Sequence, residues 1–364
     1  MKNKKTLVIA IVAVVLVVAV VLGVVLLGGN NTDGSTTTTT NPAGGTGTGT
    51  EKEYKLGMGV AFGEHTNEQL NATVATVVLD AQGKIVACRI DAVQNKYKLD
   101  LDNATFNFTV LETKMELGSR YGMAGKVDNN KDGVMLEWDA QTKAFENYVV
   151  GKTVAQIKAM TTQEVNGHHI STDNALLSAG CTIQIGDFIN AVVKACEDTQ
   201  GVTFKTSKAF TLGVSANSAD NGTAFDDDNG VTIAMNVDFG AAVVADGKII
   251  AALNDAYQPS VLVDYENVVQ KTGDQRTKRE KKGDYGMAGK VDNDDNGVML
   301  EWFEQSLAFS KHVVGMTGAQ VKAMETTPAK GHDITTDKDL LAAGCSMQIT
   351  GLMAVVGEAV DNAR

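Results

Sequence analysis

The chain has 364 residues, 43% hydrophobic and 21% charged, so once its ends are set aside it holds material for two ordinary domains with real cores. Its formal charge is −12, with Asp clustered in a few loops and no Lys/Arg stripe after the first five residues, which leaves no nucleic-acid footprint. Of the four cysteines (Cys88, Cys181, Cys196, Cys345) none lies in a CxxC spacing, so neither a disulfide scaffold nor a structural zinc site is indicated.

In chain order, residues 1–6 carry Lys2, Lys4 and Lys5, and Leu7 to Leu27 is an apolar run without a charge. At 1.5 Å per residue it spans about 31 Å, enough to cross the hydrocarbon core of a bilayer. The lysines favour an N-inside orientation, which puts everything after Gly28 outside the cytoplasm. A cleaved signal peptide is the competing reading, but the run exceeds a usual h-region and has no clear A-x-A site before Gly28. The expectation is a single-pass anchor over residues 7–27. Residues 28–50 are Gly, Thr and Asn, including the run Thr36 to Thr40, and read as a flexible tether with a reach of roughly 25 Å.

Beyond the tether the chain repeats itself. Tyr121 to Trp138 reads YGMAGKVDNNKDGVMLEW and Tyr285 to Trp302 reads YGMAGKVDNDDNGVMLEW, identical at fifteen of eighteen positions at an offset of 164. Gly83-Lys84-Ile85 aligns with Gly247-Lys248-Ile249 and Thr113-Lys114 with Thr277-Lys278 at that offset, while Leu56-Gly57 matches Leu212-Gly213 at 156. The extra residues of the second copy are expected near Asp226 to Gly230. The copies are read as domains over residues 51–200 and 208–364, joined by a protease-sensitive linker near Gln200 to Ser207.

Within each copy, Val74 to Asp80 and Ile85 to Val93 read as a hairpin, repeated by Val237 to Asp246 and Ile249 to Asp255, with a further strand near Phe106 to Leu111. The period then changes. Met135, Trp138, Thr142, Phe145 and Val149 follow steps of three and four, as do Met299, Trp302, Ser306, Phe309 and Val313, and predict a helix laid on the sheet. A second helix is predicted over Asp187 to Cys196, with Phe188, Val192 and Ala195 inward. The fold class is therefore α+β: two tandem copies of an antiparallel sheet covered by helices, after one N-terminal transmembrane helix.

The order of these motifs, a GKI hairpin turn, TK-x-E-x-G-x-x-YGM, an EW-x-x-Q helix, a VVG-x-T turn and a small-residue segment before the final helix, resembles the FMN-binding domain family. That resemblance implies FMN as cofactor and an electron-carrying role at the outer face of the membrane, with an extracytoplasmic redox partner. In the family a Ser-Gly-Ala-Thr segment takes FMN on its Thr hydroxyl. The matching positions here are Gly180, Cys181 and Thr182, and Gly344, Cys345 and Ser346, with Cys in place of Ala and Leu176 or Leu340 where the family has Asp. Tyr121 and Met123, with Tyr285 and Met287, are expected to flank the isoalloxazine ring. Independently of any family, small residues before a helix let backbone N–H groups approach a phosphate, and they equally allow close helix–sheet packing.

A second pattern is D-x-[DN]-x-[DN]-G, present as Asp128, Asn130, Asp132 and as Asp292, Asp294, Asn296. Alternate oxygens of this kind converge on a hard cation, calcium first, with Val134 and Val298 offering a carbonyl at position seven. Position twelve is Asp139 in the first copy and Phe303 in the second, so the usual bidentate Glu is missing, although Glu137 and Glu301 are near. The same residues also make a solvated turn. Glu137 with Gln141, and Glu301 with Gln305, read as wet helix faces, and His168, His169 and His332 as loop residues. The function expected is a membrane-anchored extracytoplasmic protein with two FMN-binding-like domains; the alternative is a calcium-stabilised surface module without flavin.

Overall fold

The computed structural model describes residues 50–364 apart from 127 and 227, so the expected anchor and nearly all of the tether lie outside the described residues. Among the described residues no helix is long and apolar enough to cross a membrane. The first copy opens with strands β1 (Lys52–Phe62), β2 (Gln69–Asp80), β3 (Ile85–Asp100) and β4 (Thr105–Val110), an antiparallel meander. There follow α1 (Lys114–Leu117), α2 (Trp138–Val149), α3 (Val154–Lys158), the hairpin β5 (Thr162–Val165) and β6 (His168–Ser171), α4 (Asn174–Ser178) and α5 (Gly186–Cys196). Strand β7 (Val202–Thr206) then returns to pair with β1, giving the sheet order β4-β3-β2-β1-β7.

The second copy repeats this with β8 (Thr211–Asp220), β9 (Ala224–Asp226), β10 (Gly230–Ala245), β11 (Lys248–Tyr257), β12 (Ser260–Val263) and β13 (Val269–Thr272). Its helical half is α6 (Lys278–Lys281), α7 (Trp302–His312), α8 (Gly318–Lys322), the hairpin β14 (Thr326–Ala329) and β15 (His332–Thr335), α9 (Lys338–Ala342) and α10 (Thr350–Asp361). The extra residues of this copy form β9 and lengthen β10. Pro259, with no N–H to give a ladder, falls where the first copy has Asn95 and divides into β11 and β12 what is one long strand in β3.

Two sheets pack face to face with helices on both outer sides. Leu56, Met58 and Val60 of β1 point inward onto Val237, Phe239 and Ala241 of β10 in a shared core. On the other face of β1, and of β8 in the second copy, glycine is required: a Cβ at Gly57 would collide with the Ala195 carbonyl of α5, and one at Gly213 with the Ala359 carbonyl of α10. Trp138, Phe145 and Val149 of α2, with Phe188, Val192 and Ala195 of α5, close the outer side of the first sheet, and Trp302, Phe309, Leu352 and Val356 do so for the second.

The α+β arrangement of antiparallel sheets and helices is as expected, and the readings of the linker and of the two methionines are corrected. The segment expected as a linker is strand β7, whose Phe204 is buried in the shared core. The described residues of both copies cluster as one unit. Met135 and Met299, expected to open the helix stripes, are exposed in the loops before Trp138 and Trp302.

Candidate cofactor site

In both copies the Thr-Lys-x-Glu stretch is a capping box. The Thr113 and Thr277 hydroxyls accept from the Glu116 and Glu280 amides, each at 3.1 Å, and those carboxylates accept from the Thr amides. The lysine that opens each short helix reaches over two rings. The Lys114 ammonium lies 5.0 Å from the centre of Tyr121 and 5.5 Å from that of Trp138, and Lys278 lies 5.1 Å from Tyr285 and 5.3 Å from Trp302.

The chain next turns through Gly122 and Gly286, at φ of 77° and 76°, into the two methionines. The Met123 amide donates to Glu137 at 2.9 Å and the Met287 amide to Glu301 at 3.0 Å. Those glutamates occupy the N-caps of α2 and α7, so the YGM turn and the EW helix start form one unit. Burial alone would raise the Glu137 carboxyl, but donation by Met123, Ala124 and Trp138 outweighs it and holds the group below its ordinary value.

Gln141 and Gln305 are fully buried, not the wet faces expected. Gln141 Oε1 accepts from the Thr182 amide at 2.9 Å, and Gln305 Oε1 accepts from Ser346 and Met347 at 3.0 and 2.9 Å. The Thr182 hydroxyl donates to Gln141 at 3.3 Å, while the Ser346 hydroxyl is buried with no partner among the described residues. Gly180 and Gly344 follow α4 and α9 at φ of 90° and 86°, with Leu136 and Leu300 packed where a Cβ would stand, each 2.5 Å from it. The small-residue reading thus has a packing cause in both copies. Cys181 and Cys345 sit in the apolar clusters, and burial pushes both thiols up to about 12, which keeps them un-ionised at neutral pH. Cys88 and Cys196 are buried free thiols.

The acidic loops are tied to these same segments: Asn129 and Asn293 donate to the Thr182 and Ser346 carbonyls, each at 2.8 Å. Asp128 accepts from the Asp132 and Gly133 amides, and Asp292 from those of Asn296 and Gly297. Asp132 and Asn296 accept in turn from the amides of Val134 and Val298. Asn130 Oδ1 and Asp294 Oδ1 are buried without a hydrogen-bond partner among the described residues. Glu137 and Glu301 are engaged at the methionine turns, and Asp139 accepts from Ala140 within its own helix. Among the described residues no three His, Cys, Asp or Glu side chains converge as a metal-binding group.

The second copy contains a cavity of about 980 Å³, lined by Asp238, Lys278, Tyr285, Met287, Trp302 and Gly351 among others. Tyr285 and Met287, expected at a flavin ring, do face one space; Ser346 does not line it, although Met347 and Gln348 do. His332 also lines it. Sequence reasoning missed Lys278, Trp302 and Asp238. The first two were available as the TK and EW pairs repeated in both copies, whereas nothing in the repeat marks Asp238.

No family model matches the chain, so the FMN-binding resemblance rests on the motifs alone. Chlorophenol reductase of Desulfitobacterium hafniense is 29% identical over 124 residues, covering 28% of this chain. The match spans 36% of that protein's length. No solved structure matches.

Proposed function

We propose that the cavity of the second copy binds FMN noncovalently and that the chain is a membrane-anchored, extracytoplasmic redox protein passing electrons to a partner outside the cytoplasm. The observation that carries this reading is the cavity itself. Its volume lies within the usual range of about 300–1,000 Å³ for small-molecule sites, and two aromatic rings, a methionine and an ammonium converge on it. The name of the reductase relative supports redox chemistry in general terms. The residues fit an FMN ring: Tyr285, Met287 and Trp302 offer apolar contact, and Lys278 a charge. Bound there, flavin would supply the electron chemistry, and these residues would hold it and exclude water.

Attachment is read as noncovalent because the Thr182 hydroxyl is buried and donates to Gln141, and the Ser346 hydroxyl is buried as well. FMN added to the purified protein is expected to lose fluorescence on binding, with Trp302→Ala weakening affinity about tenfold through the loss of one aromatic face. The intact mass after denaturation should be that of the bare chain, even from a host with a flavin transferase. Undiminished FMN fluorescence over a micromolar to millimolar titration would remove the reading.

A second reading is favoured by one observation, the buried unpartnered oxygens at the same position of both acidic loops. They suit a calcium ion that stiffens the loops, and the first copy should bind it better. In the second, the Lys330 ammonium already donates to Asp295 at 2.5 Å and to the Asp292 carbonyl, placing a positive charge on the loop. At a hundred times its dissociation constant calcium should add about 2.7 kcal/mol of stability. Melting temperatures in millimolar calcium and in chelator test this; equal values, or a shift unaltered by Asp128→Ala, would sink it.

A further inference from the structure

In each copy a carboxylate stands where the sheet meets the start of the closing helix, but it comes from a different element. In the first sheet Ala61 of β1 pairs with Thr73 of β2, and in the second Asn217 of β8 pairs with Asp238 of β10. Since β8 follows β1 at the offset of 156, Thr73 and Asp238 hold the same place in their sheets. Across from them, Asp187 and Gly351 are each the second residue of the closing helix, α5 or α10. The acid has therefore changed sides, from Asp187 on the helix facing a threonine strand to Asp238 on the strand facing a glycine helix.

In the second copy helix and strand meet closely at this point. A Cβ on Gly351 would stand 2.2 Å from an Asp238 carboxylate oxygen, so any side chain there would have to displace the acid. In the first copy the Asp187 carboxylate lies 3.6 Å from where a Cβ of Gly63 would stand, next to Asn71, whose counterpart beside Asp238 is Asn236. Burial raises both carboxyls, and the positive charge of Lys114 or Lys278 opposes that rise in each case. In the second copy Asp238, Lys278 and Gly351 line the same cavity.

We propose that the carboxylate and the lysine form one anchoring pair in each copy, Asp187 with Lys114 and Asp238 with Lys278, which holds the ammonium over the two rings and fixes the polar edge of a planar heteroaromatic ligand. The lysine donates to a ring carbonyl and the carboxylate accepts from a neighbouring ring N–H. Only the ligand's identity rests on the flavin reading above; the pair does not. A charge that merely filled space would have no reason to reappear at one point from opposite backbones.

The test uses the full chain in mild detergent. A double-mutant cycle of Asp238→Asn and Lys278→Met should show coupling of about fivefold in the unfolding constant. Asp238→Thr combined with Gly351→Asp, which moves the acid to the helix as in the first copy, should restore FMN affinity to within about threefold, where Asp238→Asn alone loses about tenfold. Absence of coupling overturns the proposal, as does undiminished FMN affinity in Asp238→Asn. Coupling in a protein that binds no FMN would support the pair and count only against the flavin.

Discussion

Limited proteolysis of the folded protein is expected to yield no stable half-size fragments, and residues 50–364 should unfold in a single transition. The reason is the core between the sheets. Leu56, Met58, Val60 and Val74 of one copy and Val237, Phe239, Ala241 and Leu253 of the other bury one another, so a separated copy would expose an entire apolar sheet face to water. The segment between the copies is held from both sides. Strand β7 is laddered to β1, and the turn before it is fastened to the second copy: Arg279 pairs with Asp198 at 3.0 Å with both side chains buried, and exchanges hydrogen bonds with Gln200 at 2.8 and 2.9 Å. Phe239→Ala should cost about 3–5 kcal/mol, the usual range for an aromatic truncated in a core. It should lower the stability of both copies together, read as a loss of hydrogen-exchange protection in β2 as well as in β10. Two separate transitions, or a persistent fragment ending near residue 200, would show that the copies fold apart.

The meeting of the two copies along one apolar face has a cause visible in particular residues. The hairpins were legible because Val74 to Leu79 and Val237 to Val244 are β-branched and apolar around short polar turns. Those same runs hold apolar residues at consecutive positions, which signals a strand covered on both faces. Reading the helices as the cover for one face left the other unassigned, and that face is where the copies meet. Polar side chains were harder still. Whether Gln141 is wet or buried is decided by Leu136 and Thr182, and the latter lies forty-one residues away in the chain, with nothing in the helix itself to mark the contact. The Asp187/Asp238 exchange is invisible to an alignment of the copies, because the aligned positions differ and only the point in space is shared.

Stability should fall as pH rises from about 4 to about 8 through one buried group in the first copy, Asp91, and replacing it with Asn should abolish that part of the fall. Asp91 lies within β3, fully covered, and burial pushes its carboxyl up to about 7 against the pull of hydrogen bonds from Ala92, Thr113 and Met115. A carboxyl raised in the fold favours the folded state while it is protonated. Its contribution is therefore complete below its ordinary value of 3.8 and is lost as pH climbs through about 7. At about 1.36 kcal/mol for each pH unit between those limits, the loss is on the order of 4 kcal/mol. Asn in this place keeps the Oδ1 that accepts from Ala92 at 2.7 Å and Met115 at 3.2 Å, but it has no proton to lose. Asp255, pushed up to about 6 in the second copy, follows the same rule over a narrower span because Arg279 favours its charge. Exposed carboxylates held low, such as Asp274 and Asp337, act in the opposite direction, but equally in wild type and variant. The difference between the two proteins thus isolates Asp91. Urea midpoints should coincide near pH 4 and separate by pH 8, with Asp91→Asn the more stable. A constant difference between the proteins across this range would show that Asp91 does not titrate as its burial requires.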